Sequence, residues 1–193
     1  MKLSIFVGDI ADAPADALCT STNSRLTLMM GTGASIRARG GVAVARACEA
    51  LAPLPPGAAR ATTAGALPCK ITIHCVASDA NHHSSEAIVR SCVTNALACA
   101  DDAACATVAM PIFGTGHARF AFAASARAMA LTALAVSTRV CEVKFVTNDD
   151  ERVEELREIL QTVTGRPVEV ERSAAAEPEA ESFWSDVYSL DVR

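Results

Sequence analysis

Two Gly-Thr-Gly elements, Gly31-Thr32-Gly33 and Gly114-Thr115-Gly116, offer the clearest chemistry in this chain. The second directly follows an apolar run from Ala104 to Phe113, and both precede alanine-rich stretches of helical character. Glycine reaches positive φ and lets a ligand come close to the backbone amides. A helix starting just beyond adds unpaired N–H groups and the positive end of its dipole. Such a turn holds phosphate without a basic side chain. Two of them, about 80 residues apart, point to a ligand with adjacent phosphates held between them.

The common nucleotide fingerprints do not account for these loops. A P-loop requires a lysine that neither loop has, and a dinucleotide fingerprint requires a third glycine where Ile36 and Arg119 stand. Composition narrows the choice further. The formal charge of −5 argues against nucleic acid as the main partner, which would call for a basic face. No apolar run reaches membrane-span length, and Met1-Lys2-Leu3-Ser4-Ile5-Phe6 is too short for a signal peptide, so no membrane partner and a cytoplasmic location are expected. Eight cysteines include no C-x-x-C pair and mostly sit in apolar segments, as small buried thiols do. His74, Cys75, His82 and His83 lack zinc-finger spacing, and adjacent strand residues face opposite ways, so no metal and no cofactor are expected.

The elements that must position the loops alternate between strand and helix. Strands are expected at Leu3–Val7, Ala17–Ser21, Ile71–Ala77, Thr107–Phe113 and Val140–Thr147, with a short edge strand at Val168–Val170. Thr107–Phe113 is apolar throughout, as in a strand buried on both faces. Helices are expected at Ser35–Leu51, weakened by Gly40-Gly41, and at Ser84–Ala100, Phe122–Val136 and Asp150–Thr162. Asn148 and Glu151 are spaced as a capping box for the last helix. This alternation implies a layered α/β domain. The domain is expected over residues 1–172. Residues 173–193 then form a flexible Ala/Glu/Pro linker ending in an aromatic segment, Phe183 to Leu190, that docks on its own domain or on a partner.

The surroundings of the glycine loops carry a family likeness. Gly8-Asp9-Ile10, Asn23-Ser24-Arg25-Leu26, Met30-Gly31-Thr32-Gly33-Ala34-Ser35-Ile36, Gly40-Gly41, Thr63-Ala64-Gly65 and Met110-Pro111-Ile112-Phe113-Gly114-Thr115-Gly116 follow one another in an order and spacing that resemble the macrodomain family, from about Leu3 to about Leu160. The resemblance implies a three-layer α/β/α fold with a mixed central sheet and a cleft for ADP-ribose at the strand ends. It also implies that Asp9 accepts from the adenine amino group with Ile10 beside the ring, and that Asn23 contacts the distal ribose. Gly31, Thr32, Gly33 and Ala34 would wrap the diphosphate and distal ribose from one side, and Gly114, Thr115, Gly116, His117, Ala118, Arg119 and Phe120 from the other. Asn148 falls where the family carries its adenine-stacking aromatic, leaving that contact weaker or to another group such as Trp184.

The likeness is incomplete where catalysis is concerned. Only the second Asn of the family's Asn-Ala-Ala-Asn remains, in Thr20-Ser21-Thr22-Asn23, and Met29-Met30-Gly31 keeps only the last of three glycines. Gly33 stands where the best-known hydrolase branch places its catalytic Asp, and no lysine suits the covalent branch. The candidate catalytic positions are therefore Asn23, Gly33 and His117, with water held by the first loop and the ligand's own phosphate. His117 is placed to donate to phosphate or ribose, to act as a general base, or to be a plain loop histidine. Arg119 pairs with phosphate or is an ordinary surface arginine. The implied function is ADP-ribose binding with hydrolysis of ADP-ribosylated proteins or of O-acetyl-ADP-ribose. A non-catalytic reader of ADP-ribosylated proteins, or a binder of a related nucleotide, is the alternative.

Overall fold

The computed structural model describes residues 1–174. The segment from Phe183 to Leu190, and nearly all of the linker before it, lies outside the described residues. Seven strands form one mixed sheet: β1 (Lys2–Val7), β2 (Ala17–Thr22), β3 (Ala59–Thr63), β4 (Ile71–Val76), β5 (Thr107–Pro111), β6 (Glu142–Thr147) and β7 (Val170–Arg172). Their order is β3-β4-β2-β5-β6-β1-β7, and only the β3–β4 pair is antiparallel. Among the described residues, five α-helices cover both faces: α1 (Gly31–Gly40), α2 (Val42–Leu51), α3 (Glu86–Asp102), α4 (Phe122–Ala135) and α5 (Glu151–Thr164). This is the expected three-layer α/β/α arrangement.

Strand alternation sorts the core into two halves. Leu3, Ile5, Val7, Val108, Met110, Val143 and Phe145 point to one face and pack against α3, α4 and α5 through Val93, Leu97, Met129 and Leu156. Phe6, Leu18, Val76, Ala109 and Val146 point to the other and meet Ile10, Ile36, Val44 and Cys48 under α1 and α2. A parallel strand such as β5 is stable only with both faces covered, which is why its run carries no alternation. All eight cysteines are free thiols, five of them buried.

Several local expectations are corrected. The helix expected over 35–51 is two helices, broken at Gly41, whose φ of 79° closes α1 with a bond from its N–H to the Arg37 carbonyl. Gly40 is kept small by packing: a Cβ there would lie 2.7 Å from Val44 Cγ2 and 3.1 Å from the Ala64 carbonyl oxygen. The capping box does not form. Asp150 is the N-cap of α5 without a side-chain bond, and Asp149 Oδ1 instead accepts from the Glu151 amide at 3.0 Å. Strand β3 had no sequence signal, because only Ala59 and Thr62 of its five residues are buried. The edge strand β7 begins at Val170 rather than Val168.

His74 is a structural residue in the sheet. Its Nε2 lies 2.8 Å from Thr62 Oγ1 and its Nδ1 lies 3.3 Å from Thr20 Oγ1. Burial lowers its pKa to about 4, so the ring is neutral and serves as a cross-strand hydrogen-bond partner.

Candidate functional site

A cleft of about 870 Å³ opens at the carboxyl ends of the parallel strands. The sheet itself makes the opening. β2 pairs with β4 through Thr22↔Val76, and β5 pairs with β6 through Pro111↔Val146. Between β2 and β5, however, pairing runs only from Ala17↔Val108 to Leu18↔Ala109. The two central strands therefore part after Leu18, and the chain leaves them in opposite directions along the sheet. Ligands of open α/β sheets bind in such a crevice.

The first wall is the N-terminal turn of α1. Gly31-Thr32-Gly33 is the helix's own first turn rather than a loop ahead of it. The first helical bond runs from the Ala34 amide to the Met30 carbonyl, and the N-cap Met30 supplies no side-chain acceptor. The amides of Gly31, Thr32 and Gly33 consequently have no partner among the described residues, and they sit at the positive end of the helix dipole. Residues one helical turn apart share a face. Gly31, Thr32 and Ser35 line the cleft, whereas Gly33 and Ala34 turn out of the lining. Gly33 is buried against the loop before the helix: a Cβ there would lie 3.1 Å from Leu28 Cα. Gly33 and Ala34, expected to wrap the ligand together with Gly31 and Thr32, stand outside the cleft lining in this helical phase.

The second wall is an irregular loop. Gly114 leaves β5 with φ of 73°, and its amide reaches Ser21 Oγ at 3.5 Å across the parted strands. Phe120 N–H bonds the Gly114 carbonyl at 2.9 Å, and Arg119 N–H bonds that of Gly116 at 3.1 Å, which rolls the segment into a compact turn. The four amides from Thr115 to Ala118 are left without partners among the described residues. All seven residues from Gly114 to Phe120 line the cleft. Arg119 is exposed at φ of 52° and makes no ion pair among the described residues. Two amide-rich walls thus face one another, as two adjacent phosphates require.

The ends of the cleft differ. At one end Asp9 Oδ1 accepts from the Ala11 amide at 2.8 Å and from Ser35 Oγ, which fixes the carboxylate and leaves Oδ2 for a ligand donor. Ile10 is buried beside it, and Asn148 lines the same end. Arg152 lies over the Phe122 ring at 5.1 Å while pairing with Glu155 at 2.7 Å, and both Arg152 and Phe122 line the cleft. At the other end Asn23 is tied into its own loop. Its Oδ1 accepts from the Arg25 amide at 3.0 Å, and its Nδ2 donates to Thr27 Oγ1 at 3.1 Å.

Sequence reasoning missed His82, Arg152 and Phe122. The His82 ring meets His117 edge-on at 5.1 Å between centroids, with both in the cleft lining. These two residues stand 35 positions apart, so no local spacing could join them. Arg152 reads in sequence as one more charge on the exposed face of a helix. Among the described residues, no group of three His, Cys, Asp or Glu side chains is placed to hold a metal. No helix among them is long and apolar enough to cross a membrane.

Comparison with known proteins adds to this geometry. The family model described as Macro domain matches residues 19–129. A macro domain-containing protein of Streptomyces coelicolor is 34% identical over 155 residues, which cover 76% of this chain and 91% of the relative. A variant of the Oceanobacillus iheyensis macrodomain, solved with ADPR, aligns with a TM-score of 0.78 at 22% identity and covers 85% of this chain and 94% of its own. The Trypanosoma brucei macrodomain in complex with ADP-ribose aligns at 0.71 with 16% identity, over 83% of this chain and 68% of its own. At these identities the two structures establish a shared fold.

Proposed function

The chain belongs to the Macro domain family, and from that premise we propose that its cleft binds ADP-ribose through its two amide walls. The observation that carries this reading is the pair of partnerless amide runs at one cleft, with Gly31, Thr32 and all of residues 115–118 in its lining. A diphosphate brings its own negative charge, so a chain of net charge −5 can hold it through backbone dipoles. Arg119, which makes no ion pair among the described residues, is a cation beside the second run. Asp9 Oδ2 is the acceptor for the adenine amino group, and Ile10 covers one edge of the base. Asn148 has no ring to offer, and the Arg152 guanidinium with Phe122 behind it takes over the base-facing surface. The solved ligand complexes of two structural relatives support the choice of ADP-ribose.

We further propose that the cleft hydrolyses ADP-ribose conjugates with help from the substrate. Water held by the α1 amides attacks the anomeric carbon of the distal ribose. The bond to the acceptor oxygen breaks, the acceptor leaves as a carboxylate, and the water's proton passes to the adjacent phosphate. His117, steadied by His82, is the side chain available to take that proton next. A reader without catalysis is the second reading. The observation favouring it is Gly33, which is packed on Leu28 and supplies no carboxylate to the ribose end. The domain that does this spans residues 1–172 and works in the cytoplasm.

Titration calorimetry with ADP-ribose tests binding, and no heat at millimolar ligand would refute it. Incubation with glutamate-, arginine- and serine-linked ADP-ribosyl proteins separates eraser from reader. Release of free ADP-ribose that is lost in His117→Ala supports the hydrolase; tight binding without release supports the reader.

A further inference from the structure

A second concavity of about 640 Å³ lies on the outer side of α1, between that helix and α2, and shares Leu28 and Met29 with the cleft. Its floor is apolar: Ala34, Ala38 and Ala45 lie between Met29 and Val42. Met29, Met30 and Val42 are 66%, 64% and 65% exposed, the three most exposed large apolar side chains among the described residues. Met29 and Val42 line this groove and Met30 lines the neighbouring cleft, so the groove carries two strongly exposed large apolar side chains on an apolar floor, the kind of surface that marks an interaction site. Its rim carries Arg37 and Arg46 against a single Glu49, and Arg46 has no ion pair among the described residues.

We propose that this groove is the seat of the chain's own segment Phe183–Leu190. That segment holds Phe183, the only Trp (Trp184), Val187, the only Tyr (Tyr188) and Leu190. Residues 175–193 carry five carboxylates against one arginine, the complement of the groove's rim. The point of departure also fits. The Ser173 amide bonds the Val7 carbonyl at 2.9 Å, and Ser173 packs so closely on Gly8 that a Cβ there would lie 2.7 Å away. Asp9, the next residue, is bonded to Ser35 of α1, so the chain leaves the described residues beside that helix. The groove lies across α1, whose diameter is about 10–12 Å. Residues 175–182 can extend about 26 Å, enough to cross it.

Trp184 makes the test direct, since all tryptophan emission of the full chain comes from this segment. In the intact protein its emission is expected to be blue-shifted and shielded from acrylamide. Val42→Asp or Arg46→Glu should shift it red and open it to quencher, while Leu131→Asp, an exposed apolar position on the opposite layer, should leave it unchanged. Circular dichroism identifies any variant that fails to fold, and the other groove variant then decides. Trp184 open to quencher in the unaltered protein overturns the proposal. So does shielding that survives both groove variants, which would seat the segment elsewhere. Shielding lost on dilution would assign the groove to a second copy of the chain and overturn it as well.

Discussion

The two Gly-Thr-Gly elements have the same sequence and opposite mechanics. Gly31-Thr32-Gly33 is the first turn of a ten-residue helix, braced by Leu28 beneath Gly33 and by Thr32 Oγ1, which accepts from the Ser21 amide at 3.4 Å. Gly114-Thr115-Gly116 sits in a turn that belongs to no regular element, held by Thr115 Oγ1 on the Ile112 carbonyl and by the Phe120–Gly114 bond. The helix wall presents its amides through a dipole fixed by ten residues. The loop wall presents four amides through a backbone bend that only its first glycine permits. The same tripeptide therefore builds a rigid wall from a helix start and a shaped wall from a turn.

Substitutions that treat the two walls unequally would sharpen or break this contrast. Gly114→Val should have the largest effect. Its φ is +73° and its Cβ would lie 2.5 Å from Ser84 Oγ, so strain and overlap should cost about 3 kcal/mol or more and remove ADP-ribose binding. Urea denaturation and calorimetry would read both. The sheet beneath the walls responds to pH rather than to ligand. Because His74 has a folded pKa of about 4, below the free value near 6.5, the unfolded chain takes up a proton first as pH falls. Its contribution is fully present above pH 6.5 and is lost toward pH 4. The loss between pH 7 and pH 5 is about 2 kcal/mol. His74→Gln should flatten that limb in urea midpoints taken at the two pH values.

Smaller effects separate the glycines within the walls. Gly33→Ala pushes a methyl group toward Leu28 and should cost about 1–2 kcal/mol of stability, with ADP-ribose affinity changed by less than about threefold. A large loss of affinity at full stability would mean that Gly33 faces the ligand after all. Gly116→Ala is the converse. Nothing lies within 4 Å of its Cβ position, so stability should hold within about 0.5 kcal/mol. Affinity should nonetheless fall about fivefold, roughly 1 kcal/mol, because the methyl group intrudes on the ligand side of the turn.

The layered fold was legible because buried parallel strands announce themselves, as Thr107–Pro111 does, and because helices such as Glu86–Asp102 keep their apolar period. β3 was invisible because three of its five side chains face water, and its buried side-chain bonds to β4 run through Thr62 alone, a polar residue that gives no apolar alternation to read. The helix break at Gly41 could be read as a weakness but not as a stop, since the stop is the positive φ of Gly41, which a Gly-Gly pair permits without requiring. Motif order singled out both glycine elements and Asp9, and residues of both elements line the cleft together with Asp9. Helical phase was not legible: it removes Gly33 from the lining and brings in Ser35. His82 and Arg152 reach the cleft from separate elements, one by a positive-φ turn and one from the first turn of α5, and spacing along the chain carries no trace of either.

The central claim is that both walls grip one diphosphate through their backbone amides. Amide-resolved NMR titration of the ¹⁵N-labelled chain with ADP-ribose tests this without assuming any catalysis. The account predicts that the amides of Gly31 and Thr32 and those of Thr115 through Ala118 shift together along one binding curve. Shifts confined to one wall, or no shift in either at millimolar ligand, would contradict it.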